Sequence, residues 1–153
     1  MKIPMEYQIK QLSSEDIDLM WELLGCFGKE FDEHETYGSN RPDECYIREL
    51  LDSDSFIVIV AQSNNDIIGG LAAYELKKFE QMRSEIYIYD LAVAKPFRRK
   101  GVATALIERL KPIAKQRRAW VIFVQADYVD DPAVQLYEKL GVREEVLHFD
   151  LSV

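Results

Sequence analysis

Val93-Ala94-Lys95-Pro96-Phe97-Arg98-Arg99-Lys100-Gly101-Val102-Ala103-Thr104-Ala105-Leu106-Ile107 is the stretch around which the rest of the chain can be ordered. An apolar, strand-like run ends at Val93. A short basic loop follows, and small residues then lead into an amphipathic helix. The first turn of a helix leaves backbone N–H groups without intrahelical partners, and the helix dipole adds partial positive charge there. Gly101 and Ala103 let a ligand approach that backbone closely, and Arg98, Arg99 and Lys100 bring charge to the same place. The residues therefore predict an anion site of the kind that holds a diphosphate, with a plain structural turn as the alternative.

Reading outward, residues 7–12 predict a first strand, and Ser13 or Ser14 offers a helix cap ahead of Asp16. Ile17, Met20, Leu24, Phe27 and Phe31 recur at helical spacing, so a helix should reach about Phe31. The polar stretch 32–41, with Gly38, reads as a loop. Pro42 suits the first turn of a second helix that carries Tyr46, Ile47, Leu50 and Leu51 on its apolar side. Residues 55–62 and 67–76 form a hairpin about Asn64-Asn65-Asp66, and Gly69-Gly70 marks a bulge or a close backbone approach. Residues 84–93 are the strongest strand, with Ile86 and Ile88 alternating with Tyr87 and Tyr89. In the helix after Gly101, Pro112 predicts a kink or an early end. A strand over 120–126, a short helix over 132–140 closed by Gly141, and a strand over 144–151 complete the chain. The order β-α-α-β-β-β-α-β-α-β predicts an α/β fold: one mixed sheet flanked by helices, in a single domain over residues 1–153.

The chain has 153 residues, 48% of them apolar, which suits one globular domain with a real core. No apolar run is long enough to span a membrane, and the start lacks a signal-peptide pattern, so a cytoplasmic protein is expected. Cys26 and Cys45 have neither metal nor redox spacing and are expected as free thiols. With only His34 and His148 beside them, no metal site is expected. A net charge of −8 argues against a nucleic-acid partner and fits a cationic one. The acids gather at Asp32-Glu33-His34-Glu35, Asp43-Glu44, between Asp127 and Asp131, and at Glu144-Glu145.

Three segments resemble the GCN5-related N-acetyltransferase superfamily. They are the strand end Asp90-Leu91-Ala92-Val93, the Arg98-x-x-Gly101-x-Ala103 loop, and Ala133-Val134-Gln135-Leu136-Tyr137-Glu138-Lys139-Leu140-Gly141. Further stretches are similar to the type I aminoglycoside 3-N-acetyltransferases: Ser84-Glu85-Ile86-Tyr87-Ile88-Tyr89-Asp90, Val124-Gln125-Ala126-Asp127-Tyr128 and Arg143-Glu144-Glu145-Val146-Leu147-His148-Phe149-Asp150.

The resemblance implies acetyl-CoA as donor, its pantetheine arm paired with the backbone of Leu91, Ala92 and Val93. A bulge near Asp90 would open the slot for it. Arg98, Arg99, Lys100, Gly101, Val102, Ala103 and Thr104 would hold the pyrophosphate. Tyr137 would protonate the departing thiolate. Where many superfamily members carry Asn, this chain has Asp130.

Asp127, at the end of its strand, is the first candidate for the base that takes the amine proton, with Glu85 and Asp90 as alternatives. Glu85, Asp90, Asp130, Asp131, Glu144 and Glu145 are candidates to face a cationic substrate. Tyr87 and Tyr89 read as cleft walls and His148 as structural. The resemblance thus implies transfer of acetyl from acetyl-CoA to the 3-amino group of a deoxystreptamine aminoglycoside in a ternary complex, a resistance reaction; a homodimer is compatible with it. The alternatives are acetylation of another polyamine or a peptide amine, and a non-catalytic CoA-binding module.

Overall fold

The structure is a computed structural model and describes residues 4–153. The chain divides into two compact units, one running to Phe123 and the other spanning Val124–Val153.

The first unit contains β1 (Gln8–Gln11), α1 (Ile17–Glu30), a π-helical turn (Glu35–Ser39), α2 (Glu44–Asp52), β2 (Phe56–Ser63), β3 (Asp66–Lys77), β4 (Ser84–Val93), a short 3₁₀ turn (Lys95–Phe97), α3 (Val102–Gln116) and β5 (Ala119–Val124), whose last residue opens the second unit. The strands lie in sequence order, β1-β2-β3-β4-β5. The pairs from β1 to β4 are antiparallel, and α3 carries the chain over from β4 to β5, so the sheet is mixed.

The β2–β3 hairpin turns on Asn64 and Asn65, both left-handed at φ 51° and 68°, the geometry of a two-residue primed turn. Gly69 and Gly70 meet the expectation of close approach. A Cβ on Gly69 would sit 2.8 Å from the Ala92 carbonyl oxygen, and one on Gly70 would sit 2.9 Å from that of Ile59.

One sheet face packs on α1 and α2 through Met20, Leu23, Phe27, Ile47, Val58, Val60, Ala72 and Ala92, all buried. The other packs on α3, whose buried stripe is Val102, Leu106, Leu110 and Ile113. Covering both faces explains why residues 56–61 are buried without alternation.

Five expectations are corrected. The first helix is capped by Asp16 rather than Ser13 or Ser14, and the Asp16 carboxylate turns back to the Ser13 N–H at 2.8 Å. Residues 35–39 are a π-helical turn rather than a loop. Pro42 precedes the second helix, whose cap is Asp43; its carboxylate accepts the Tyr46 N–H at 2.9 Å. α3 runs through Pro112 to Gln116. Pro112 lacks the N–H that would bond Glu108, and both residues are exposed, so water can satisfy the freed carbonyl.

The fifth correction lies in the second unit, where α4 (Asp131–Leu140) forms as expected but residues 144–151 make no strand. Their alternation is strand-like, yet a strand exists only where a neighbour takes its N–H and C=O groups. Leu147, Phe149 and Leu151 stay exposed, and so does His148, 2.9 Å from Asp150. Gly141 closes α4 as expected, with extended backbone at φ −156°.

Candidate active site

β4 carries the central feature. Ala72 pairs with Asp90, but Ala73 pairs with Ile88, so Tyr89 is an extra residue in the strand. Strict alternation would put Asp90 on the face of Ile86 and Ile88, against α3. A bulge shifts the parity. Asp90 instead joins Ala72 and Tyr74 on the α1–α2 face, where it lines a cleft of about 180 Å³ with Met20, Leu24, Tyr46 and Phe56. The bulge expected near Asp90 is present.

The Asp90 carboxyl is half-buried, and its pKa lies above the usual aspartate value. Desolvation raises it, a hydrogen bond from Tyr37 lowers it, and the Glu33 charge raises it again. A row of rings runs past it across the sheet. Phe56 meets Tyr74 at 5.1 Å, Tyr74 meets Tyr89 at 5.9 Å, and Tyr89 meets Tyr87 at 5.4 Å; Tyr87 stacks on Phe123 at 4.7 Å. Tyr46 and Tyr89 are well exposed. A carboxylate among rings open to solvent suits an ammonium group on a carbon framework with apolar faces.

At the end of β4, Leu91, Ala92 and Val93 pair with Leu71, Gly70 and Gly69. The chain then turns into α3. Arg99 and Gly101 are left-handed, at φ 59° and 82°. Gly101 caps α3 with no side-chain acceptor, and a Cβ there would meet nothing within 4 Å. Among the described residues no side chain caps the first turn, so the N–H groups of Val102, Ala103 and Thr104 open onto a cradle bordered by exposed Arg99 and Lys100. Val102 contributes only its backbone, because its side chain is buried. These residues fit the diphosphate of acetyl-CoA.

Arg98, expected at the pyrophosphate, is engaged within the protein. Its Nε donates to the Val93 carbonyl at 3.0 Å and its guanidinium pairs with Glu30 at 2.6 Å. The largely buried Glu30 carboxylate also accepts the Lys95 N–H at 3.3 Å. Arg98 and Glu30 thus pin the strand-to-helix turn to α1, while Arg99 and Lys100 are exposed and Lys100 Nζ lies 5.8 Å over the Phe97 ring. Sequence reasoning missed Glu30 and Tyr37, because no local pattern connects them to Arg98 and Asp90, 68 and 53 positions away.

Other expected site residues are placed as follows. Glu85 accepts the Trp120 indole N–H at 3.2 Å and lies 3.9 Å from Lys78. In the second unit, Asp127 is exposed, and its backbone carbonyl accepts the Asp130 N–H. Asp130 is the N-cap of α4, accepting the Ala133 N–H at 3.3 Å, and Asp131 lies exposed in the first turn. Tyr137 is half-buried, with its phenol pushed up to about 12, by burial first and then by the Asp130 charge. Glu144 is exposed, and Glu145 pairs with Arg143 at 2.8 Å.

Gly101→Val should weaken CoA binding at least tenfold while the fold persists. The side chain has room, but the left-handed backbone is strained by roughly 1–3 kcal/mol and its N–H cradle is obstructed. Calorimetry of a folded variant with unchanged CoA affinity would remove the loop from the site.

The model of the acetyltransferase (GNAT) family matches residues 17–142, spanning both units. The aminoglycoside acetyltransferase HMB0005, from an uncultured soil metagenomic sample, has a structure similar to this one. It is 60% identical, with a TM-score of 0.95, over 97% of this chain and 99% of that one. The aminoglycoside acetyltransferase meta-AAC0020, from another such sample, was solved in complex with sisomicin. It is 30% identical, with a TM-score of 0.89, over 96% of each chain. The N-acetyltransferase YhfO of Bacillus subtilis (strain 168) is 26% identical over 112 residues, 72% of this chain and 75% of that protein. A bulged strand leading into an uncapped, glycine-started helix, matched over most of its length by these relatives, makes this chain a member of the GNAT family of acetyltransferases, with acetyl-CoA as donor.

Proposed function

We propose that this chain transfers acetyl to the 3-amino group of a deoxystreptamine aminoglycoside, as a resistance enzyme of the cytoplasm, with its two units acting as one catalytic domain. The observation that carries the reading is Asp90, a half-buried carboxylate turned by a bulge into an open, ring-lined cleft. Aminoglycosides are polycations built on sugar rings, and such a cleft offers both charge and aromatic faces. The similarity to aminoglycoside acetyltransferases supports the same class.

Acetyl-CoA supplies a thioester whose carbonyl carbon the free amine attacks. Asp90 takes the proton that the ammonium form must lose, and its raised pKa makes it a better base. We prefer it to Asp127, which is exposed, and to Glu85, which is engaged by Trp120 and Lys78. Backbone N–H groups of α3 hold the diphosphate, and Tyr137 serves the leaving sulfur. Direct transfer is favoured over an acyl-cysteine route. Burial, with the Glu30 charge adding to it, pushes the Cys26 thiol up to about 11, so it holds almost no thiolate at neutral pH.

A panel of acceptors with CoA release as readout tests the reading. Turnover is expected with aminoglycosides bearing a free 3-amino group, and loss of most of it when that group is blocked. Equal turnover on blocked compounds would move the reaction to another amine. Preference for polyamines or peptide amines would replace the acceptor class.

A further inference from the structure

We propose that Tyr37 is a positioning residue for Asp90, holding the carboxylate at the mouth of the cleft in the orientation that receives the acceptor amine. The inference rests on the reading of Asp90 as the base.

The Tyr37 hydroxyl donates to Asp90 Oδ1 at 3.0 Å, joining residues 53 positions apart. Its ring is fixed from α1, edge-on to Phe27 at 5.9 Å and tilted on Phe31 at 5.6 Å. Gly28 allows the approach, since a Cβ there would lie 3.3 Å from the Tyr37 Cβ. The backbone beneath it is the π-helical turn, with the Asn40 N–H bonded back five residues to the Glu35 carbonyl at 3.3 Å. Such turns cost helical regularity and are frequent at functional sites. Ring, backbone and hydroxyl are thus all held, and one carboxylate oxygen is taken, which leaves Oδ2 for the substrate.

The ionisable groups around Asp90 come from every neighbouring element: Glu33 after α1, Tyr37 on the π-helical turn, Tyr46 on α2, Tyr74 on β3, and Tyr87 and Tyr89 on β4. No cation is among them. Tyr37 itself stays protonated, its pKa raised by burial and by Asp90, so it acts only as a donor. Its hydrogen bond is the one interaction in this set that favours ionised Asp90.

Tyr37→Phe keeps the ring and removes the hydroxyl. It should raise the Asp90 pKa, seen directly by NMR titration of its side-chain carboxyl carbon. The acid limb of kcat/KM should move to higher pH, with about a tenfold loss on that limb. KM for acetyl-CoA should not change. In an Asp90→Asn background, the same substitution should cost nothing further, because Tyr37 acts through Asp90. An unmoved Asp90 titration, or an equal additional loss in the Asp90→Asn background, would overturn the proposal. Full activity of Asp90→Asn alone would instead overturn the base assignment, while the titration still reports on Tyr37.

Discussion

Asp90→Asn is expected to lower kcat/KM for a 3-amino aminoglycoside by about 10²–10⁴-fold at neutral pH, the range typical of a lost general base. An ammonium group has no lone pair with which to attack a thioester, so each turnover requires that a proton leave. The bulge at Tyr89 turns Asp90 out of the α3 face into the cleft, which the proposed function gives to the acceptor amine. The substitution keeps the shape and the contact with Tyr37 while removing charge and basicity.

Activity should recover in part at higher pH, where free amine is more abundant. The sign of the wild-type profile follows from the same carboxyl. Its pKa is raised by burial, so the base is lost on acidification at a higher pH than for an exposed aspartate. Asp127→Asn, measured beside it, should change kcat/KM less than about threefold, as befits an exposed surface charge. A near-native Asp90→Asn enzyme with a crippled Asp127→Asn enzyme would reverse the assignment.

Tyr137→Phe should lower kcat by about 10²-fold with KM for acetyl-CoA unchanged, the scale of removing one donor aimed at developing negative charge. The phenol, at about 12, stays protonated throughout the working range. It is also a weaker acid than an alkyl thiol, so full proton transfer to a thiolate is uphill. We therefore assign Tyr137 the stabilisation of sulfur charge by a hydrogen bond, with the proton supplied later by solvent. A basic limb below pH 10 in the wild-type profile then belongs to another group and should persist in Tyr137→Phe. Unchanged kcat in this variant would return Tyr137 to a packing role on α4.

Most of the order of elements was legible because those elements rest on local pattern. Helical spacing from Ile17 to Phe27, the Asn64-Asn65 turn and the tyrosine-isoleucine alternation before Asp90 all act over a few residues. The phosphate cradle was legible for the same reason: a strand, a left-handed glycine and a helix start are consecutive in the chain. The strand expected over 144–151 shows the limit of such patterns. Alternation marks which residues could share a face, but pairing requires a neighbour that the segment does not itself contain.

What local pattern could not supply is the arrangement around Asp90. Period-two alternation assigns it to the wrong face, and only one extra residue in the β3–β4 register corrects this. Tyr37 lies in a polar stretch with no helical period, because its π-helical turn is held by packing on Phe27, Phe31 and Gly28 rather than by a repeating pattern. Arg98 reads as a phosphate cation beside Arg99 and Lys100, yet Glu30, 68 residues away, takes its charge. The sequence alone thus determined the element order as far as α4, apart from the π-helical turn, and the glycine turn into α3, which depend on neighbours in the chain. The tertiary structure decided that Asp90 faces the cleft, that Tyr37 bonds it there and that Arg98 pairs with Glu30, because register, burial and ion pairing are set by residues that meet only in the folded chain.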